Sequence, residues 1–504
     1  MKIKSFPILT VLSILVQTCY ANANTHFIKS PSIFLNSDTV TINVKSAGAV
    51  GNGTQDDYAA ITKALNQTTG PAKIHFTAGS YLISQALATN HDGTIFVFDK
   101  NAKLIIQDGA NGGIILRNNN CQVIGGFFQG NGQSSKELRK GYGVMLTGVS
   151  NCKVLNSTFD KISGVSIFLI NKGPSGCNQC LVKGNFIREP AFSRTIVQDA
   201  AGIMVGYSGT GYFHTNNIIA NNSVDGNETI AHGIAMITHG KGNTVTGNTV
   251  KNCLRYGIVL YESSNEAGTL TNNNVSYNTV QNIGTPAGVP SSPYGMGIYL
   301  MTSSYSTVKG NKVTHCLVNT NNSETLPSGA IALNGSTHCT VDSNIITDSH
   351  RYGIACSMAY NSSITNNVID GVGESGIYLI NTAFNVVKMN TIKNVTVYGI
   401  KGLFGNTSRA NYAAQIKNGF TEYQNLSTGQ GVEISDNKID GSKVKTIRFT
   451  GEDPDPKTNY SGNKLNKISI HNNTITGSSD PKNSISLDKA DENGGNKVSN
   501  NKYQ

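Results

Sequence analysis

Tryptophan is absent from the 504 residues, and charged side chains make up only 14% of them. The missing tryptophan argues against a propeller, whose repeats carry aromatic signatures. Sparse charge alongside 54 glycines does not suit helical bundles. It suits many short strands joined by tight turns, in which glycine and asparagine supply positive φ. No apolar run is long enough to cross a bilayer as a helix. A second C-x-x-C to match Cys177 and Cys180 is lacking, so a four-thiolate zinc site is unsupported. A local disulfide, a redox pair or half a metal site stay open there. The Leu-x-x-Leu-x-Leu-x-x-Asn pattern is missing too, which removes leucine-rich repeats.

At the start, Lys2 and Lys4 precede an apolar run from Ile8 to Val16, and Ala21-Asn22-Ala23 is a small-x-small cleavage site. Residues 1–23 therefore read as a signal peptide, and the remainder as secreted or periplasmic. The formal charge is +10, of which Lys2 and Lys4 contribute two. An exported basic chain suits an acidic partner such as a uronic-acid polysaccharide better than nucleic acid. Cys253 and Cys316 fall at the repeat position of Ile283, Val372 and Val395, which marks them as buried fillers.

Residues 24–90 read as an N-terminal cap module. Val40 to Val44 alternates like a strand. Gly48-Ala49-Val50-Gly51-Asn52-Gly53 is a glycine-rich turn, and Thr54-Gln55-Asp56-Asp57 opens a helix running to about Leu65, its acidic first turn favouring the macrodipole. Strands follow at Lys73–Phe76 and Tyr81–Ile83. The turn lacks both the Gly-x-Gly-x-x-Gly spacing and a P-loop ending, so phosphate binding is rejected in favour of capping a solenoid end.

From there a phrase repeats: Tyr256-Gly257-Ile258, Tyr352-Gly353-Ile354, Ser375-Gly376-Ile377, Tyr398-Gly399-Ile400. From 233 to 257, and from Ala330 (standing in for one glycine) onward, the steps between strand glycines are 24, 23, 23 and 23 residues, while longer steps, 164 to 202 and 257 to 297, mark coils with inserted loops. A second phrase runs in phase: Asn248-Thr249-Val250, Asn311-Lys312-Val313, Asn344-Ile345-Ile346, Asn367-Val368-Ile369, Asn390-Thr391-Ile392. The asparagines are expected to bend the chain between strands and to hydrogen-bond along the stack. The fold class is all-β, a right-handed parallel β-helix over 91–479 with a short helical N-terminal cap. Residues 480–504 read as a polar C-terminal tail, loose or capping.

The entry module (Gly48 to Gly53, Asp56-Asp57, Ala78-Gly79-Ser80-Tyr81), with the coils behind it, resembles the pectate-lyase-like superfamily. That N-terminal signature introduces β-helices of rhamnogalacturonase-like, lyase, epimerase and tailspike proteins. The resemblance implies the fold and a carbohydrate-active role, and leaves the reaction open. The only Asp-Asp is Asp56-Asp57, in the cap, which weakens a two-carboxylate glycoside hydrolase. Tyr256-Gly257-Ile258 and Tyr352-Gly353-Ile354 match the first half of the mannuronan epimerase motif Tyr-Gly-(Phe/Ile)-Asp-Pro-His and then lose its Asp and His.

With the strand glycine as position zero, Ile at +1 and Leu at +3 point inward and +2 and +4 face out. The +2 column reads Ala235, Val259, Tyr299, Ala332, Ala355, Tyr378. The −1 column holds His232, Tyr256, Tyr352, Ser375 and Tyr398, and the −2 column Arg255, Arg351 and Glu374. One patch therefore gathers His232, Arg255, Tyr256, Tyr261, Glu262 and Tyr299 as candidate catalytic residues. That set suits β-elimination on a uronic acid: an arginine for the carboxylate, His232 as the base titrating near neutrality, a tyrosine as the acid. Epimerisation starts from the same proton abstraction. A tyrosine stacking ladder accounts for the −1 column better than a catalytic set does. Arg351, Tyr352 and Tyr378, with Arg188 and Arg194 from inserted segments, are candidate polysaccharide-binding residues. Carboxylates are scattered over several coils, so no metal is assigned, and calcium stays open as a cofactor. The reading is a polysaccharide lyase, with epimerase, hydrolase and non-catalytic adhesin or spike-like protein as alternatives.

Overall fold

The computed structural model describes residues 39–132, 140–190, 200–207, 212–237, 239–261, 270–284, 295–316, 328–404, 430–440, 445–451, 464–477, 480, 483–490 and 493–504. Val40–Gln504 forms a unit by itself. One rung shows the plan. Thr244–Thr246 lies in a first sheet, Thr249–Cys253 in a second and Tyr256–Tyr261 in a third; the chain then returns to the first at Asn274–Ser276. Every strand pairs in parallel with its counterparts one rung before and after. Among the described residues the first and second sheets hold 16 strands each and the third 14. The third is shorter because it begins only at Leu87–Ala88, whereas the first begins at Val40–Asn43. A four-stranded sheet, 214–215 to 303–304, lines the corner between the third and the first.

The repeated glycine and the repeated β-branched residue are two halves of one contact. A Cβ on Gly257 would stand 2.3 Å from Val280 Cγ1 and 2.7 Å from the Gly297 carbonyl oxygen. Gly376 and Gly399 meet Ile392 and Ile439 in the same way. The second sheet thus fills the space that a side chain on the third would need, and the strand turns both Gly257 and Ile258 toward the axis. That is why Tyr256 and Val259, two residues on either side, both face away from it. The interior is a continuous column of Val, Ile, Leu and Phe, with Cys253, Ile283, Cys316 and Val372 at one position on successive or near rungs.

Between the first and second sheets the asparagines form a ladder. Each amide from Asn185 to Asn473 donates to the Oδ1 of the next, at 2.9–3.0 Å, the last to Asn501. The bend itself falls on the preceding residue: Gly247 and Gly310 take φ of +64° and +63°. So the asparagines bind along the stack, as expected, while their neighbours turn the chain.

The entry module contains the expected strands, Ala72–Phe76 and Gly79–Ile83, and a helix, Tyr58–Asn66, that buries Ile61, Ala64 and Leu65 at the first rungs. The helix starts later than expected because Asn52–Asp56 is a strand of the second sheet. No acidic residue lies in its first turn. Asp57 instead accepts the Val50 and Gly51 amides at 2.7 and 3.1 Å, tying down the glycine-rich turn. Nor is the stretch after 480 loose: Ile485–Asp488, Lys497–Ser499 and Lys502–Tyr503 add one strand to each sheet. Its polarity follows from covering a rung on one side and meeting water on the other.

Candidate functional site

The longer connecting segments of the sequence are flanked by strands of one sheet. Residues 133–139, 191–199, 285–294, 317–327 and 441–444 all stand between a strand of the second sheet and one of the third; 262–269, 405–429 and 452–463 follow strands of the third. After the entry turn at 44–51, connections between the first and second sheets stay two or three residues long, as at 247–248 and 310–311. Extra chain therefore enters and leaves at the two borders of the third sheet, which makes its outer face the place to look for function.

Most of the predicted residues meet on that face. His232 pairs in register with Tyr256, and their rings stack in parallel with centroids 5.0 Å apart. The Tyr256 and Tyr299 centroids are 5.1 Å apart, and the Arg255 guanidinium sits 5.3 Å from the Tyr256 ring. The Tyr299 hydroxyl accepts a hydrogen bond from the Asn334 amide at 3.1 Å. These outward-facing positions are not open to water. His232, Tyr256 and Tyr299 are 3%, 7% and 3% exposed, and the +2 column from Ala235 to Tyr378 is equally closed. These side chains form an apolar cluster of their own, separate from the axial core. Part of that burial is mutual, since rings one rung apart stack at close to the strand spacing. Only Arg255 and Tyr261 of this group are half-buried. Glu262 lies outside the described residues, as does Arg194. Arg188 is on a different face: it ends a strand of the second sheet, and its Nε is 3.2 Å from Asp160 Oδ1.

A second group lies farther along the same face and is more open. Glu374 is its centre. Its Oε2 accepts Arg351 Nε at 3.0 Å, and its Oε1 accepts the Tyr352 hydroxyl at 3.0 Å and Lys401 Nζ at 3.3 Å. Arg351 lies over the Tyr352 ring at 4.8 Å and Lys401 over Tyr378 at 5.0 Å. One rung on, Arg448 donates to the Tyr398 hydroxyl and to Asp488 Oδ2, both at 2.9 Å. Arg351 and Lys401 keep about a fifth of their side-chain surface in water, and Arg448 38%. Burial is the largest single influence and opposes the Arg351 charge, but the Glu374 hydrogen bond and the charges of Tyr352, Glu374 and Tyr378 together outweigh it and raise its pKa. Burial and the Glu374 charge push the Tyr352 hydroxyl up, so it stays protonated and donates.

Lys401, Arg448 and Asp488 were missed in the sequence. Lys401 carries the signal, at +2 from Gly399. Arg448 lies on a strand with Thr446 in the glycine's place, so the repeat template passes over it. Among the described residues no three His, Cys, Asp or Glu side chains are grouped to hold a metal, and no helix is long and apolar enough to cross a membrane.

A family model described as right handed beta helix region matches residues 198–313 and 233–414. The comparison with curated proteins finds no match. Among solved structures, the A-module of the Azotobacter vinelandii mannuronan C-5 epimerase AlgE6 is 14% identical, with a TM-score of 0.54 over 87% of this chain and 100% of that one. The Dettilon tailspike protein is 16% identical, with a TM-score of 0.50 over 69% of this chain and 66% of its own. The Streptococcus pneumoniae surface protein and adhesin PfbA is 14% identical, with a TM-score of 0.50 over 81% of this chain and 100% of that chain. At such identities the likeness is one of fold. With its parallel sheets, its coil repeat and that family match, the chain is a right-handed parallel β-helix.

Proposed function

We propose that this chain is an exported protein that takes an acidic polysaccharide across the outer face of the third sheet. The observation that carries the reading is the open cation–tyrosine group: Arg351, Lys401 and Arg448, each held against a tyrosine ring. A uronic-acid sugar offers its carboxylate to these part-exposed cations and its C–H groups to the half-buried Tyr398 ring, while the buried Tyr352 and Tyr378 rings support the cations from below. The ion pairs with Glu374 and Asp488 hold the cations in place before any ligand arrives, which lowers the ordering cost of binding. The insertions bordering this sheet and the net positive charge support the same partner.

β-Elimination is the reaction the neighbouring group favours. Arg255, half-buried beside the His232–Tyr256 stack, suits the substrate carboxylate, with His232 as base and Tyr256 as acid. Both reacting groups are buried as they stand, so catalysis requires this part of the face to open, and binding at the second group does not. The fold neighbours include both an epimerase module and an adhesin, so turnover is the point to test. The chain is incubated with pectate, alginate and glycosaminoglycans, and ultraviolet absorbance of unsaturated uronate is followed. In parallel, retention on immobilised glycans is measured over a salt series. Product that disappears in His232→Ala establishes the lyase. Salt-sensitive retention without product, weakened several-fold in Arg351→Ala and Lys401→Ala, establishes a binding protein. Neither product nor retention, with the protein folded, overturns the reading.

A further inference from the structure

Four of the buried cysteines share one corner of the coil. Cys121, Cys152 and Cys180 each precede a strand of the first sheet, and those strands pair Gln122 with Lys153 and Lys153 with Leu181. The three therefore stack on consecutive rungs. Cys177 stands three residues before Cys180, on the other side of the same turn. All four are at most 1% exposed, and each is a free thiol. Their Sγ atoms donate to backbone carbonyls of that corner: Cys121 to His91 and Asn119, Cys152 to Asn118, Cys177 to Leu146 and Ile170, and Cys180 to Val149 and Asn178. The serines show the corner's geometry independently. Ser303 and Ser306 hold the positions of Cys177 and Cys180 four rungs on, through His214, Gly240 and Leu270 and through Asn217, Asn243 and Asn273. Their hydroxyls are 2.9 Å apart, so the turn points side chains i and i+3 at each other.

We propose that these thiols close as two disulfides, Cys121–Cys152 and Cys177–Cys180, when the chain folds in an oxidising compartment. Their linear order, 121–152–180–177, decides the pairing. A Cys152–Cys180 bond strands the two end thiols, whereas the proposed pairing leaves none over. In-register residues on parallel neighbours are about 4.8 Å apart, inside the window of roughly 4.4–6.8 Å that a disulfide needs between Cα atoms. A column gives each thiol at most two thiol neighbours, which suits pair bonds and not a tetrahedral metal cage. Of the other described cysteines, Cys253 and Cys316 flank Ile283, Cys356 lies between Leu333 and Leu379, and Cys339 takes the same corner position as Cys180 farther along, between Ser306 and Ser362.

Each bond consumes one small-molecule disulfide such as oxidised glutathione. A protein thiolate attacks it and expels one glutathione thiolate. The neighbouring cysteine attacks the resulting mixed disulfide and expels the second. Two cysteine thiols are oxidised, one glutathione disulfide is reduced to two thiols, and the cysteine protons end on them. Buried sulfurs place this exchange during folding, before the rungs close.

The test refolds the full chain in a glutathione redox buffer or in excess reductant, with folding followed by circular dichroism. Free thiols are then alkylated in denaturant and the peptides mapped by mass spectrometry. The expected result after oxidative refolding is two linked pairs, 121 with 152 and 177 with 180, with alkylation at Cys253, Cys316, Cys339 and Cys356. The oxidised protein also unfolds at higher denaturant than the reduced one. Alkylation of Cys121, Cys152, Cys177 and Cys180 along with the other cysteines, or a Cys152–Cys180 link, overturns the proposal. Mapping the unsubstituted chain avoids dependence on a variant that fails to fold, and its outcome is independent of whether a glycan binds.

Discussion

Protonating His214 has to work against burial. The ring is 1% exposed, and its Nδ1 accepts the Cys177 backbone N–H at 3.1 Å. Burial first, and His239 second, bring its pKa from 6.5 to about 4. Between those values the unfolded chain binds a proton that the folded chain refuses, so stability rises with pH across that window. The contribution is complete above pH 6.5 and is lost as pH falls toward 4, a loss of roughly 3 kcal/mol. Urea unfolding at pH 7.5 and 4.5 measures it, and His214→Gln, which keeps an acceptor for Cys177, is expected to shrink the difference. Glu374 makes the opposite kind of demand, since one carboxylate serves Arg351, Tyr352 and Lys401. Glu374→Gln keeps the shape and removes the charge. It is expected to cost about 1–3 kcal/mol in thermal or chemical unfolding. In the glycan reading it also strengthens retention on an anionic column, because two cations lose their internal counter-charge. Weaker retention with the fold intact would count against that role for the cations.

At the scale of a strand or turn, the regularities with steric or hydrogen-bonding causes were legible in sequence. The strand glycines recur because Val280, Ile392 or Ile439 occupies the place of a side chain, and the asparagines recur because each feeds the next. Asn311 tests the ladder. Its amide donates to Asn344 Oδ1 and to the Val275 carbonyl, and its Oδ1 accepts the Asn278 backbone N–H and amide, all at 2.9–3.0 Å. Asn311→Ala leaves those buried groups without partners. A loss of about 2–3 kcal/mol is expected in denaturant melts, and no measurable loss would reduce the ladder to a packing feature. Other features stayed illegible for physical reasons. Alternation told which side of the third sheet Tyr299 and Ala332 face, but alternation carries no information on whether that side is wet. Arg188 was grouped with the site as part of an inserted segment, yet it ends a strand of the second sheet. Arg448 escaped because Thr446 interrupts the glycine pattern that marks the other rungs.

Across the whole stack each rung touches only its neighbours, so stability is close to a sum of rung and interface terms, and the ends decide solubility. The strands 485–488, 497–499 and 502–503 cover Ile447, Phe449, Ile470 and Ile475, which are at most 1% exposed. Their own outer side carries Lys497 and Lys502, both exposed, and lysines on an edge strand discourage a second chain from pairing there. Deleting residues 485–504 removes both services at once. It exposes an apolar rung and leaves three parallel edges with free N–H and C=O groups. The shortened chain is therefore expected to associate at micromolar concentration, seen as a rising mass in light scattering after size exclusion. The far-ultraviolet circular dichroism spectrum should keep its β character, because the rungs from 40 to 440 lose no direct contact. Replacing Lys497 and Lys502 with Val in the full-length chain separates the two effects, since it keeps the cover and removes only the edge charge. Association in both proteins points to the edge, and association in the deletion alone to the uncovered apolar rung. A monomeric deletion with an unchanged unfolding midpoint would mean that this rung protects nothing.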